Sequence, residues 1–265
     1  MKDLWDEMNS GSTVLIGMVH LLPLPGTLKG STSLEKVISQ AVSDAKTLEE
    51  KGFDGLIVEI EDYCYDLHMS KIEFAGISMA AFAVRQAVSI PIGISCSGLN
   101  YEEALAIAKE CSASFIRTPV FVDTLINYNG IISPCSAKVI KYRTAVKAED
   151  VKIMADIHVK HYFMLDKDID IRTSARWAER QGADAIIVTG ITTGAETDMK
   201  DLEDVRSVIH VPLIVGSGIN KKNIEEQMKI SNGLIIGTSL RTDGDMTKPI
   251  DPVRCDELLK AGGRK

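Results

Sequence analysis

The stretch KIMADIHVKH, residues 152–161, has the period-two alternation of a β-strand, in which successive side chains point to opposite faces. One face would be apolar, with the side chains of Ile153, Ala155, Ile157 and Val159. The opposite face would carry Met154, Asp156, His158 and Lys160. Burying a carboxylate, an imidazole and an ammonium group on one edge is costly unless they pair with each other or meet a ligand. This strand therefore predicts a functional site rather than part of a core.

The same strand belongs to a regular alternation of β-rich and helical segments. Predicted strands cover residues 14–19, 55–60, 91–95, 115–119, 152–160, 184–189, 211–216 and 233–237. Predicted helices cover residues 34–51, 72–88, 102–111, 137–146, 170–181, 202–208, 222–229 and 252–260. Eight β-then-α units predict an α/β fold with one parallel sheet closed into a (β/α)8 TIM barrel. We expect a single domain over residues 1–265, with residues 1–12 as an N-terminal extension.

An open, doubly wound sheet is the alternative fold. Its nucleotide-binding loop, G-x-G-x-x-G, would directly follow the first strand. Here the first strand leads instead into His20 and a Pro-Leu-Pro turn. The closed barrel is therefore favoured. Residues 120–133, after the fourth strand, form the longest stretch without a repeat element, and a loop of that length often covers a site.

The composition is that of an acidic globular protein. The net charge is −7 at pH 7 and no basic block is present, which argues against nucleic acid as a partner. No segment has the roughly 20 apolar residues of a membrane span. Acidic residues precede the first apolar stretch, unlike a signal peptide. The odd number of cysteines and the absence of C-x-x-C indicate reduced thiols, and we expect a cytoplasmic protein.

Polar residues converge where the predicted strands end, which is where barrel active sites lie. The alternation in each strand selects His20, Glu59, Glu61, Ser95, Arg117, Asp156, His158, Lys160 and Thr189. Our catalytic candidates are His20, Glu59, Arg117, Asp156, His158 and Lys160. Glu59 and Asp156 are candidate general bases, and Lys160 is a candidate Schiff-base amine, general acid or anion-binding group. The alternative interpretation is a buried salt-bridge network without catalysis.

A metal site is a second alternative for the same residues. His20, Glu59, Asp156 and His158 would supply nitrogen and oxygen ligands, but no two of them have a dedicated ligand spacing such as H-E-x-x-H. We therefore predict no metal and no other cofactor, and leave a divalent metal open.

The last two predicted strands end in small-residue loops typical of anion binding. The candidates for holding a phosphate group are Gly216, Ser217, Gly218, Gly237, Thr238 and Ser239. Glycine lets backbone amides approach an anion, and barrels often bind phosphate after strands seven and eight. Residues 189–194 form a third glycine-bearing loop that would close over the same ligand. Tight turns without a ligand are the alternative.

Four phrases resemble the BtpA family, which is named for a photosystem I biogenesis protein. They are IGMVHLLPLPG (16–26), ADIHVKH (155–161), TGITTG (189–194) and VGSG (215–218). The resemblance runs from Ile16 to about Leu258. It implies a TIM barrel of the ribulose-phosphate-binding group, but no defined reaction.

The chain departs from the pattern we associate with that family at four strand ends or loops. Ile60 replaces an Asn, and GISCSG (93–98) stands where Gly-Ile-Asn-Val and polar residues are expected. Thr118-Pro119 follows Arg117 in place of Val-Asn. The loop around Tyr128 reads Asn-Tyr-Asn-Gly in place of Thr-Asp-Gln-Gly. These changes indicate an altered substrate or a loss of catalysis.

The residues and the resemblance together predict a protein that binds a small phosphorylated metabolite. Isomerase, epimerase or aldolase-type chemistry on a sugar phosphate suits the ionisable groups. The alternatives are a non-catalytic binding or assembly factor with a role like that in photosystem biogenesis, and a metal-dependent hydrolase. We also expect a homo-oligomer.

Overall fold

A computed structural model of the protein describes residues 3–27, 29–30, 32–60 and 67–264. Its strands, in chain order, are β1 Val14–Leu21, β2 Gly55–Ile60, β3 Ile92–Ser95, β4 Phe115–Thr118, β5 Leu125–Asn127, β6 Gly130–Ile132, β7 Lys152–Ile157, β8 Phe163–Met164, β9 Ala185–Val188, β10 Leu213–Val215 and β11 Gly233–Ile236. The closed barrel has the order β1-β11-β10-β9-β7-β4-β3-β2, and all neighbours are parallel. The predicted TIM barrel is confirmed.

Helix α1, Leu4–Asn9, precedes β1 and contacts the lower end of the barrel interior. The later helices follow the barrel strands and cover the outside of the sheet. They are α2 Leu34–Lys51, α3 Lys71–Ala87, α4 Tyr101–Glu110, α5 Ser136–Ala145, α6 Ile171–Arg180, α7 Met199–Arg206, α8 Ile224–Ile230 and α9 Pro252–Ala261. Two short 3-10 turns, Thr238–Leu240 and Thr242–Gly244, follow β11. The larger apolar cluster lies between the strands and these helices.

Helix α2 illustrates how sequence sets these elements. The Ser33 side chain accepts a hydrogen bond from the Lys36 amide at the N-terminus, a standard cap. Gly52 ends the helix with φ +89°, in the left-handed region that favours glycine. The helix packs closely on β1, because a Cβ at Gly17 would lie 2.4 Å from a Leu48 methyl carbon. The bare backbone of Gly17 is what makes this approach possible.

The barrel interior has two layers with different chemistry. The lower layer is apolar and includes Val14, Ile16, Met18, Ile57, Phe115, Met154, Ile187, Ile214 and Ile235, with Leu4 and Met8 of α1 against it. The Phe115 ring fills the space beside Gly93, where a Cβ would lie 2.2 Å from the ring. The upper layer, two residues further along five of the strands, consists of His20, Glu59, Ser95, Arg117 and Asp156. The same alternation thus builds a core below and a polar layer above.

Two details differ from the sequence prediction. The strand predicted to reach residue 160 ends at Ile157, because His158 has φ +45° and its amide donates to an Asp123 oxygen at 2.7 Å. The loop predicted over residues 120–133 contains the β5–β6 hairpin, which pairs with β8 as a three-stranded antiparallel sheet. This small sheet packs on Val159 through Leu125 and Ile132.

Two expectations about the cellular environment have structural counterparts. No helix in the described ranges combines the length and apolar character needed to cross a membrane. Cys96, Cys111 and Cys135 are buried thiols outside any disulfide, whereas Cys64 lies outside the described residues.

Candidate functional site

A cavity of about 200 Å³ opens at the carboxyl ends of the barrel strands. One wall carries the ionisable side chains of His20, Glu59, Arg117 and Lys160. The other wall is made by small-residue loops after β9, β10 and β11 and includes Thr193, Gly194, Gly216, Ser217, Gly218, Gly237, Thr238, Ser239 and Gly244. We call these the ionic wall and the glycine wall. All six phosphate candidates from the sequence line this one cavity, and their role stays a prediction.

Glu59 is the centre of the ionic wall. Its Oε2 lies 3.3 Å from His20 Nε2, and its Oε1 accepts a hydrogen bond from Ser95 Oγ at 2.6 Å. The Arg117 Nη1 lies 3.8 Å from Oε1. Strand register explains this convergence, since His20 is paired with Glu59, Glu59 with Ser95, and Ser95 with Arg117.

The environment keeps Glu59 ionised. Burial alone would raise its pKa, but the hydrogen bond with His20 and the charges of Arg117, His20 and Lys160 outweigh burial and lower the pKa to about 2. A carboxylate with so low a pKa is a weak base near neutral pH. Glu59 is therefore better suited to hold His20 than to remove a proton itself.

Both carboxylate oxygens of Asp156 accept hydrogen bonds from Arg117. The Arg117 Nε and Nη2 donate to the two Asp156 oxygens at 2.9 Å each, the two-pronged geometry typical of strong arginine–carboxylate pairs. Burial opposes the charge of Arg117, but Asp156 and Glu59 more than offset it and raise the Arg117 pKa. Asp156 is 1% exposed and does not line the cavity. Its geometry fits a positioning residue for Arg117 rather than a general base.

His158 and Lys160 separate, although the sequence pattern put them in one row. After the turn at His158 the chain leaves the strand, and Lys160 lines the cavity while His158 does not. The His158 Nε2 is buried without a hydrogen-bond partner in the described part of the chain. The His158 side chain instead interacts electrostatically with Asp201 of α7. Burial and the charge of Asp198 raise the pKa of Asp201, and His158 lowers it. His158 does not line the cavity beside Lys160, because the alternation stops with the strand, and its catalytic role stays a prediction.

The glycine wall depends on close backbone contacts. Gly218 has φ +73°, and a Cβ there would lie 2.2 Å from the Ala195 oxygen. Ser217 Oγ accepts from the Gly190 amide at 2.7 Å and donates to the Ala195 oxygen at 3.1 Å, which ties the loops after β9 and β10 together. A Cβ at Gly237 would lie 2.7 Å from His20 Cε1, so the imidazole packs closely against the loop after β11. The two walls therefore touch.

Two polar atoms at this site have no hydrogen-bond partner among the described residues. They are Nδ1 of His20, whose side chain is 8% exposed, and Oγ of Ser239. Buried polar atoms are nearly always hydrogen-bonded in folded proteins. Both residues line the cavity.

Sequence reasoning missed Gly244 and Arg254, which also line the cavity. Arg254 lies in the first turn of α9, where acidic residues are favoured, and this unusual placement was the available signal. Of the other residues selected by alternation, Thr189 accepts a hydrogen bond from the Lys160 amide at 3.1 Å. Glu61 lies outside the described residues.

The metal alternative finds little support in the arrangement of its four ligands. Asp156 and His158 do not line the cavity, and both Asp156 oxygens bind Arg117. Within the described ranges, no group of three or more His, Cys, Asp and Glu side chains is arranged to hold a metal ion.

Comparison with known proteins establishes the family. A model of the BtpA family matches residues 12–263. The chain belongs to the BtpA family. An uncharacterized protein of Pyrococcus abyssi is 36% identical over 256 residues, 96% of this chain and 97% of that protein. The photosystem I biogenesis protein BtpA of Synechocystis is 32% identical over 263 residues, 98% of this chain and 91% of that protein. The resemblance inferred from the four phrases is confirmed.

Solved structures share the fold of this BtpA-family chain at low sequence identity. Tryptophan synthase of Mycobacterium tuberculosis matches with a TM-score of 0.66 and 12% identity, over 98% of both chains. An N-(5'-phosphoribosyl)anthranilate isomerase of Pyrococcus furiosus matches with a TM-score of 0.59 and 14% identity, over 95% of this chain and all of the other. These likenesses establish the TIM barrel and nothing more.

Proposed function

We propose that this BtpA-family protein binds a small phosphorylated metabolite and moves a proton on it, as an isomerase, epimerase or aldolase would. One observation carries the proposal: a single cavity has a glycine wall suited to an anion and, in contact with it, the His20–Glu59 pair. Phosphate held at the last strands of a barrel places the rest of a small ligand over the strand ends.

The glycine wall supports phosphate as the bound group. The wall combines glycines with serine and threonine hydroxyls, and both the backbone amides of such loops and these hydroxyls are good partners for phosphate oxygens. The isomerase with the same fold acts, by its name, on a phosphoribosyl compound. A cavity of about 200 Å³ suits a metabolite smaller than the ligands of typical drug-sized pockets.

The ionic wall supports proton transfer by His20. Glu59 holds one ring nitrogen, and the other lacks a partner among the described residues. A histidine oriented by a carboxylate is a common acid–base unit. Lys160 supplies a positive charge on the same wall, which would stabilise negative charge that develops on a ligand carbonyl.

Proton exchange with solvent tests this function. Ribulose 5-phosphate, ribose 5-phosphate and dihydroxyacetone phosphate would be incubated with the protein in D2O and followed by NMR. We expect deuterium to enter next to the carbonyl of one compound with wild-type protein. In His20→Gln the exchange should fall by about a hundredfold or more, the usual contribution of an acid–base group, while phosphate binding persists. Equal exchange by wild type and His20→Gln would contradict the role of His20.

A non-catalytic assembly role is the second candidate, and one surface favours it. Ile131, Ile126 and Phe163 are cross-strand neighbours on the small sheet and are 63%, 37% and 74% exposed. A contiguous exposed apolar row is typical of a protein-interaction site. The relative from Synechocystis is named for photosystem I biogenesis. Ile131→Ser with Phe163→Ser should leave proton exchange intact and abolish association if this surface binds a protein.

Homo-oligomerisation, the cytoplasmic location and the absence of a cofactor stay predictions. Light scattering on the purified protein gives the oligomeric state, and the double variant on the small sheet shows whether that surface forms a homo-oligomer. Elemental analysis of the purified protein measures any bound metal.

A further inference from the structure

Arg254 is the lining residue that the barrel pattern does not explain. It belongs to α9, in the layer outside the barrel, yet its side chain borders the same cavity as Ser239 and Gly244. Within the described residues its guanidinium has one ionic neighbour, Asp251 Oδ2 at 3.9 Å, and makes no hydrogen bond to another side chain or to the backbone. Its side chain is 39% exposed, so the remaining guanidinium donors are open to solvent or to a ligand in the cavity.

The position of Arg254 in its helix is electrostatically unfavourable on its own. The N-terminus of a helix carries partial positive charge and favours acidic residues. The first turn of α9 has no acidic residue after the Asp251 cap, and it contains Arg254. An anion placed there would interact favourably with both the helix end and the guanidinium. Asp251 already caps the backbone of this helix end, so the group left for an anion in the cavity is the Arg254 guanidinium.

The other charges of the cavity are balanced without Arg254. Arg117 pairs with Asp156, and Glu59 is stabilised by Arg117, His20 and Lys160. Arg254 is therefore the lining cation that this network does not use. Ser239 lies in the turn against which α9 packs and lines the same cavity, and its hydroxyl is buried without a hydrogen-bond partner in the described residues. The Arg254 guanidinium and the Ser239 hydroxyl therefore belong to residues that line the same cavity as the glycine loops.

We propose that Arg254 and Ser239 select a terminal, doubly charged phosphate monoester as the bound group. A guanidinium offers two parallel donors that match two non-bridging phosphate oxygens. A phosphate diester carries a single charge and has an ester group where the second pair of contacts would form. The inference rests on the proposed function and adds which form of phosphate the cavity accepts and which side chains distinguish it.

Calorimetric titration at pH 8 with methyl phosphate and dimethyl phosphate tests the selection. Wild type should bind methyl phosphate, which is doubly charged at this pH, at least tenfold more tightly than dimethyl phosphate. Arg254→Gln should weaken methyl phosphate binding roughly tenfold to a hundredfold, the range for hydrogen bonds to a charged group. Arg254→Lys keeps the charge without the fork and should fall between the two. Ser239→Ala should weaken binding by a smaller factor.

Arg180→Gln is the matched control, because Arg180 is an exposed arginine in the last turn of α6. This substitution also removes one positive charge, and the variant should bind methyl phosphate with the wild-type affinity. Arg254→Gln should melt at or slightly above the wild-type temperature, since it removes a cation from a helix N-terminus.

The outcomes separate the two proposals. Wild-type binding that Arg254→Gln leaves unchanged overturns the role of Arg254 while the phosphate-binding function stands. Equal affinity for the monoester and the diester overturns the selection. A wild-type protein that binds neither methyl phosphate nor any sugar phosphate overturns the proposed function and this inference with it.

Discussion

The lower and upper layers of the barrel interior have the same strands and the same alternation but opposite chemistry. In the lower layer, Phe115 fills the space beside Gly93 and lies with its ring centre 5.7 Å from that of Trp5 in α1. In the upper layer, two residues further along β4, Arg117 binds both oxygens of Asp156. The barrel determines which residues face inward. Their distance from the carboxyl end of the strand then determines whether they belong to the apolar core or to the polar layer beside the cavity.

Stability and function reside in different layers of the barrel interior. The lower layer is closed by α1 and buries apolar surface, whereas the upper layer borders a cavity and holds its charges by mutual pairing. Substitutions in the lower layer should therefore lower the free energy of unfolding and leave ligand affinity unchanged. Changes above should alter the response to pH or ligand.

The largest effect should come from the lower layer. Phe115→Ala should reduce the free energy of unfolding by about 3–5 kcal/mol, the cost of removing a buried aromatic ring and leaving a cavity. Urea denaturation measures this loss, and methyl phosphate affinity should stay within twofold of wild type. A loss of binding as large as that in Arg254→Gln would show that the layers are not separable.

Glu59 should make the free energy of unfolding depend on pH in the acidic range. Its pKa is lowered in the folded protein to about 2 from an ordinary 4.5, so its charge stabilises the fold above pH 4.5 and this contribution is lost as pH falls toward 2. The shift corresponds to about 3 kcal/mol at 1.36 kcal/mol per pKa unit. Urea titrations between pH 5 and 3 should show a shallower loss of stability in Glu59→Gln than in wild type.

Glu50→Gln, an exposed change on α2, is the control and should keep the wild-type pH dependence. Parallel curves for wild type and Glu59→Gln would mean that the charge of Glu59 does not stabilise the fold.

The smallest effect should come from the hydrogen bond that fixes Glu59. Ser95 is fully buried, and its hydroxyl donates to the carboxylate at 2.6 Å. Ser95→Ala should lower the free energy of unfolding by about 1.5–3 kcal/mol, the range for a hydrogen bond to a charged group. Denaturation in urea at pH 7 measures it, and an unchanged stability would indicate that water replaces the hydroxyl.

The barrel could be predicted from sequence because its signal is repeated eight times. Errors of a few residues at strand ends do not change the order of the elements, and inward-facing residues such as Glu59 and Arg117 follow from alternation within a strand. His158 shows the limit of this reasoning. The strand ends where β9 stops pairing, at Ile157 opposite Val188, and a contact with Asp123 then turns the backbone. Neither event is visible in local sequence.

The two walls of the cavity were predictable to different degrees. The glycine wall follows from small residues at the ends of adjacent strands, which topology necessarily brings together. Arg254 reaches the cavity from an outer helix, and its direction depends on how α9 packs beside the turns after β11. Pairing within the upper layer also required coordinates, because sequence alone does not tell which carboxylate Arg117 would bind.

The central claim is that the glycine wall and the His20–Glu59 pair serve one ligand. Titration of isotope-labelled protein with ribose 5-phosphate, followed by NMR, tests it most directly. The backbone amides of Gly218, Gly237 and Ser239 and the ring resonances of His20 should shift together along one saturation curve. Amides that shift while the His20 ring does not, or shifts confined to residues outside the cavity, would contradict the claim.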